Sequence, residues 1–96
     1  MLVLITYDVN TETPEGRKRL RNVAKACEDY GQRVQNSVFE CEVDAGKYLL
    51  VKDRLVKIIN VKSDSLRFYI LGNEGHKKVE HFGIKQSFNV NAPLII

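Results

Sequence analysis

The chain has 96 residues, 44% of them hydrophobic, with 15 Lys and Arg against 12 Asp and Glu for a formal charge of +3. That length holds one folding unit with a limited core, and the composition is too apolar for a disordered chain. The basic balance (sequence pI about 9.0) tolerates a nucleic-acid partner without demanding one, so where the charges lie decides more than their sum.

Leu2, Val3, Leu4 and Ile5 open an apolar run that stops at Asp8. The run predicts a central strand covered on both faces. An aspartate at the exit of such a strand is held stiffly yet reaches solvent, which suits a metal ligand or general base. The plainer reading is that Asp8 caps a turn into the helix that follows. Thr13, Pro14 and Glu15 are an N-cap, a first helical residue and an acid at the positive end of the dipole. Leu20, Val23, Ala24, Cys27 and Tyr30 then recur at helical spacing, so a helix is predicted over about 14–30, stopped at Gly31. Arg17, Lys18, Arg21 and Lys25 occupy its opposite side, with Arg19 nearby.

Residues 32–43 read as strand: Phe39, Cys41 and Val43 alternate with Val38, Glu40 and Glu42. Val34 has the wrong parity to share a face with Phe39, and a bulge or kink near Asn36 and Ser37 reconciles the halves. Asp44 is an N-cap for a second helix with Tyr48, Val51, Leu55, Ile58 and Ile59 as its core stripe; Lys47, Lys52, Asp53, Arg54 and Lys57 face out and Asn60 ends it. Leu66, Phe68 and Ile70 alternate against Arg67, Tyr69 and Leu71 in a further strand. Gly72 to Gly75 is a turn, Val79 to Gly83 a short strand, Phe88 to Val90 a candidate last strand, and Ala92 to Ile96 an apolar tail.

Cys27 and Cys41 lack the CxxC spacing and fall on apolar periodic positions, as small buried hydrophobes of a reducing cytoplasm do. No segment approaches the roughly 18 apolar residues of a membrane span, and no basic region precedes the first apolar run as in a signal peptide. The whole chain, 1–96, reads as a single α+β domain of βαββαβ order with strands added at the carboxyl end. Two helices on one face of a mostly antiparallel sheet is the ferredoxin-like plan. The other sheet face and the tail still have apolar surface to hide, which argues for a homodimer.

Tyr7-Asp8-Val9, the basic helix Gly16 to Arg21, the run Tyr30 to Cys41 and Phe68 to Leu71 resemble the CRISPR-associated Cas2 family; Asn91 to Ile96 resembles its I-C branch. The resemblance covers nearly the whole chain. It implies a ferredoxin-like homodimer whose carboxyl-terminal segment, about 84–96, docks on the partner's sheet by strand exchange. It implies that Asp8 faces its twin across the two-fold axis and binds a divalent metal, magnesium or manganese. It implies a part in CRISPR adaptation and spacer acquisition, with the CRISPR integrase as partner and double-stranded DNA or single-stranded RNA as substrate.

Two like carboxylates at an axis need neutralising, and a divalent ion does that while activating water. Candidate catalytic residues are therefore Asp8, with Tyr7 and Ser37 as groups that orient a phosphate or water and Phe39 as a groove residue; the plainer roles of the last three are strand, bulge and core packing. His76 and His81 read as surface polar residues. Arg17, Lys18, Arg19, Arg21, Lys25 and Arg33 form the candidate nucleic-acid surface, suited to phosphates rather than bases; the plainer reading is a solvated helix face. No RNP-like aromatic run is present, which favours duplex backbone over stacked single strands. Three functions remain: a metal-dependent endonuclease, a non-catalytic scaffold for the integrase, and a metabolite-binding regulator of the same fold.

Overall fold

Seven residues, Leu2–Asp8, form β1 at the centre of the sheet, and period-two burial along it organises the rest of the computed structural model, which describes residues 1–71 and 77–84. Val3, Ile5 and Tyr7 are buried under the helices, whereas Leu2, Leu4 and Thr6 are half-buried and Asp8 is exposed on the other face. The expected cover on both faces is thus replaced by cover on one, because both helices pack on the same side.

The elements that follow are α1 (Pro14–Glu28), β2 (Gln32–Gln35), β3 (Val38–Glu42), α2 (Ala45–Ile58), β4 (Ser65–Leu71) and β5 (Lys77–Gly83). They make an antiparallel sheet in the order β2-β3-β1-β4-β5. This is the ferredoxin-like arrangement with β5 added at one edge. The turn expected at Gly72 to Gly75, His76, the candidate strand Phe88 to Val90 and the apolar tail lie outside the described residues, as does the docking segment from 85 onward.

Local chemistry accounts for the helix ends. Thr13 Oγ1 accepts from the Gly16 amide at 3.0 Å, with Pro14 in the first turn. Asp44 Oδ1 accepts from the Lys47 amide at 2.7 Å. The first helix stops at Glu28, two residues short of the predicted end. The core joins Val3, Ile5, Phe39, Cys41, Leu66 and Phe68 of the sheet to Val23, Ala26 and Cys27 of α1 and Tyr48, Val51 and Leu55 of α2. Cys27 and Cys41 are buried free thiols; burial pushes them up to about 12 and about 11, so they act as apolar packing.

The kink expected near Asn36 and Ser37 is a full reversal. Residues 32–43 are two strands of a hairpin, with Asn36 and Ser37 as the turn and Gln35 opposite Val38. The register shift falls at Val34, between Arg33 and Gln35, which is the bulge that the parity of Val34 requires.

Lys52, read as outward-facing, is half-buried and pairs with Glu80 of β5 at 3.3 Å, where Glu80 also accepts from the Tyr48 hydroxyl. Those two donors, Tyr48 first, hold the Glu80 carboxyl below the usual range. They tie the edge strand to α2. At the end of the same strand Gly83 has φ +95°, and a Cβ there would lie 2.0 Å from the Asp64 carbonyl oxygen. Gly83→Ala combines that clash with a left-handed backbone; a loss of at least about 2 kcal/mol is expected in urea unfolding. A variant as stable as the parent would show that β5 can shift freely at this end.

Candidate functional site

The exit of β1 is fixed by a carboxylate far away in sequence. Asp64 is fully buried in the segment between α2 and β4. It accepts from the Asn10 amide (3.0 Å), the Asn60 amide (2.8 Å) and Arg19 Nε (2.8 Å). Asn10 and Asn60 each also accept the amide two residues on, from Glu12 and Lys62, at 2.9 Å. Each is the head of an Asx-turn whose own N–H points at Asp64. Burial alone would raise the Asp64 carboxyl, but the hydrogen bonds from Arg19 and the two amides outweigh it and hold it below the usual carboxylate range. The loop after Asp8, the first helix and the loop before β4 are locked together by this one group.

Asp8 sits beside that lock on the uncovered sheet face, opposite Ser65 of β4, which in turn lies opposite Gly83 of β5. One row along, Thr6, Val38, Arg67 and His81 face the same way; the next row holds Leu4, Glu40, Tyr69 and Val79. Arg67 Nε donates to His81 Nδ1 at 3.0 Å, and His81 Nε2 lies 3.1 Å from the Gly83 carbonyl. An arginine only donates and a carbonyl only accepts, so in this pair of contacts Nδ1 takes the acceptor role and Nε2 the donor role. Among the described residues, no group of three His, Cys, Asp or Glu gathers to hold a metal. A divalent ion at Asp8 would take one hard carboxylate from this chain, which fits magnesium if phosphate, water or a second chain supplies the remaining oxygens.

Two of the other catalytic candidates, Tyr7 and Phe39, are not on Asp8's face. Tyr7 points the opposite way, under the helices; its hydroxyl donates to the Asn36 carbonyl at 3.3 Å and its ring stacks on Phe39 at 6.2 Å. Burial chiefly, and then the Cys27 beside it, raise the Tyr7 hydroxyl, with Arg33 pulling the other way. Phe39 is fully buried, with the Arg33 guanidinium 5.1 Å from its ring centre. Ser37 is in the hairpin turn and its carbonyl accepts the Tyr7 amide at 3.1 Å. Tyr7 and Phe39 stack under the helices and do not line one surface with Asp8.

Of the cations, Arg17, Lys18, Arg21 and Lys25 are exposed and fall within a sector of roughly 100° of the first helix. Arg17 Nη1 donates to the Thr11 carbonyl at 3.1 Å, so the strip begins at the loop that follows Asp8. It runs about 12 Å along the helix to Lys25, in the layer opposite Asp8's sheet face. Arg33 is partly exposed and pairs with Glu28 at 3.6 Å. Arg19 is different: it is the partner of buried Asp64 and serves the fold. Sequence reasoning missed Asp64 and the Arg67–His81 contact. The alternation of Tyr7 with Asp8 was a signal that the two face opposite ways.

Comparison with known proteins gives a consistent result. The family model described as CRISPR associated protein Cas2 matches residues 1–79. The chain is 55% identical to CRISPR-associated endoribonuclease Cas2 3 of Rhodospirillum rubrum over 95 residues, covering 99% of this chain and 100% of that one. It is 58% identical to CRISPR-associated endonuclease Cas2 of Halalkalibacterium halodurans, covering 99% of each. The crystal structure of Streptococcus pyogenes Cas2 superposes with a TM-score of 0.69 at 68% identity, covering 75% of this chain and 87% of that chain. Among the described residues no helix is long and apolar enough to cross a membrane.

Proposed function

The chain belongs to the CRISPR associated protein Cas2 family, and on that premise we propose a homodimeric, metal-dependent endonuclease of CRISPR adaptation that cleaves nucleic-acid phosphodiesters at paired Asp8 side chains. The observation that carries the reading is the position of Asp8: exposed, on the end of the central strand, on a sheet face that the helices leave uncovered. Leu2, Leu4, Tyr69 and Leu71 are half-buried and Val79 is 48% exposed on that face. A second copy laid face to face would cover them and bring the two carboxylates together.

In this arrangement Asp8 of each chain holds a shared magnesium or manganese ion. The ion supplies neutralisation of the two like charges and activation of water. This chain's own part is to keep the carboxylate fixed. The Asp64 lock holds the loop after β1, so Asp8 meets a scissile phosphate without reorganising the backbone. Arg17, Lys18, Arg21 and Lys25 grip flanking backbone phosphates, and the substrate is duplex DNA or single-stranded RNA.

A second reading, a non-catalytic scaffold that holds spacer DNA for the CRISPR integrase, is favoured by one observation. The cationic strip and Asp8 lie in opposite layers, so backbone can be gripped without touching the acid. Asp8→Asn separates the two. Loss of magnesium-dependent cleavage with duplex binding kept supports the nuclease; cleavage equal to the parent's ends it. Spacer integration that survives in the same variant assigns the scaffold as the main role. For the strip, Arg17→Ala or Arg21→Ala is expected to weaken duplex binding and to lower the slope of log affinity against log salt by about one for each phosphate no longer neutralised. Unchanged affinity and slope would remove the strip from the interface.

A further inference from the structure

The register places a carboxylate beside the apolar part of the open sheet face. Leu4 of β1 stands between Glu40 of β3 and Tyr69 of β4, and Leu2 between Glu42 and Leu71. Leu2, Leu4, Tyr69 and Leu71, in these two rows, are half-buried, and Glu40 beside them is exposed. Glu42 pairs with the Met1 amine at 3.1 Å; among the described residues no ion pair neutralises Glu40.

Two copies can meet through this face about a two-fold axis that runs along β1 or across it. Asp8 is at the end of the central strand, so the two Asp8 side chains meet only when the axis runs along β1. The strands of the two sheets are then aligned to within roughly 30°. β1 lies over β1, and β3 of each copy lies over β4 of the other. Glu40 comes opposite Tyr69 of the second copy. Packed sheets are about 10 Å apart, a gap that these two side chains span together, and the Tyr69 hydroxyl donates to the Glu40 carboxylate. With the axis across the strands, the ends are exchanged and β3 lies over β3. A register centred on or between the two apolar rows then sets Glu40 over Glu40, Glu40 over Glu42, or Glu42 over Glu42. Sliding toward Asp8 parts these acids but lays Asp8 over Leu2 or Leu4, a charge buried on an apolar side chain.

We infer that Glu40 sets the direction in which two copies of this chain pair. It accepts from Tyr69 of the second copy when the Asp8 ends lie together, and it repels its own twin or Glu42 when the copies lie head to tail. The inference rests on the reading of Asp8 as one half of a paired site and names the residue that selects that pairing. The like-charge pair of the selected arrangement, Asp8 with Asp8, is at the strand ends, where a divalent ion reaches it. A Glu40 pair would lie within the contact, between the apolar rows.

The test uses the full chain with manganese, carrying a nitroxide on Glu12→Cys in the exposed loop after Asp8; the native cysteines are buried. Electron-spin distance measurement reads which ends meet, and sedimentation reads the dimer's dissociation constant. The ends of a seven-residue strand are about 20 Å apart, so the two arrangements give separate distances. With Glu40 intact, one short distance is expected. Glu40→Gln and Glu40→Leu, both at an exposed position, should add a second, longer one, and manganese-dependent cleavage should fall with the share of dimers so rearranged. Tyr69→Phe should dissociate several-fold more readily while keeping the single short distance. If both Glu40 variants keep the short distance alone, the inference is overturned, while the paired Asp8 site stands. Parental dissociation of Tyr69→Phe would remove Tyr69 as the partner of Glu40. A long distance with Glu40 intact, or a monomer, would end this inference and the paired Asp8 site together. If Asp8→Asn cleaves like the parent, the nuclease reading fails, while the distances in the Glu40 variants still decide this one.

Discussion

Asp64→Ala is expected to lower the stability of the fold by about 3–5 kcal/mol, the scale for removing one partner of a buried ion pair. The reason is in what is left behind. Arg19 stays in place, partly buried, with its carboxylate gone, and the amides of Asn10 and Asn60 lose their acceptor. Each stranded group pays its desolvation cost without a bond. For a chain of this size the melting temperature should fall by on the order of 15 °C or more, compared at one protein concentration because a homodimer's melting depends on it. Asp64→Asn keeps one acceptor oxygen and should lie between. The folded carboxyl is held below its unfolded value. Its contribution is therefore present above about pH 4 and lost as pH falls through the folded pKa. The gap between parent and variant should narrow on that acid side. A melting temperature for Asp64→Ala within a few degrees of the parent at pH 7 would show that the three segments are held by something else.

How much of this was legible depends on how far apart in sequence the contributing residues lie. Strand alternation and helix caps are local, and Thr13, Asp44, Phe39, Cys41, Leu66 and Phe68 all sit where local pattern puts them. The hairpin was half legible. The parity break at Val34 was real, but Asn36-Ser37 carries no glycine, so a bulge was easier to read than a reversal. Asp64 was not legible, because Lys62, Ser63 and Asp64 look like any polar loop; its burial is decided by Asn10, Arg19 and Asn60, which meet only in the fold. Arg19 was misplaced for the same reason, since spacing along one helix cannot reveal a carboxylate 45 residues away. Lys52 looked outward until β5 brought Glu80 to it. Asp8 is the reverse case. Its position at the end of an apolar run already told that it would be rigid and exposed, and the fold added which face it shares and with which residues.

Asp8→Asn should therefore change chemistry without changing the fold. The side chain is exposed, the substitution keeps its shape, and the lock at Asp64 does not use it. Metal-dependent cleavage is expected to fall by at least about a hundredfold, the scale of losing one directly engaged electrostatic or proton-transferring group. Affinity should move in a way that cleavage alone cannot reveal. Without divalent ions, a carboxylate near a phosphate repels it, so the variant should bind duplex at least as tightly as the parent. With manganese, the parent's affinity should rise while the variant's stays flat, because the ion no longer has a charged ligand to bring it there. If two carboxylates face each other at the axis, the parent dimer in chelator carries a repulsion that the variant lacks, and the variant dimer should resist dilution to lower concentration. A variant that dissociates more readily than the parent would mean that Asp8 makes an attractive contact across the interface. A variant whose affinity still rises with manganese would place the ion at other ligands, and the paired-acid site would have to be given up.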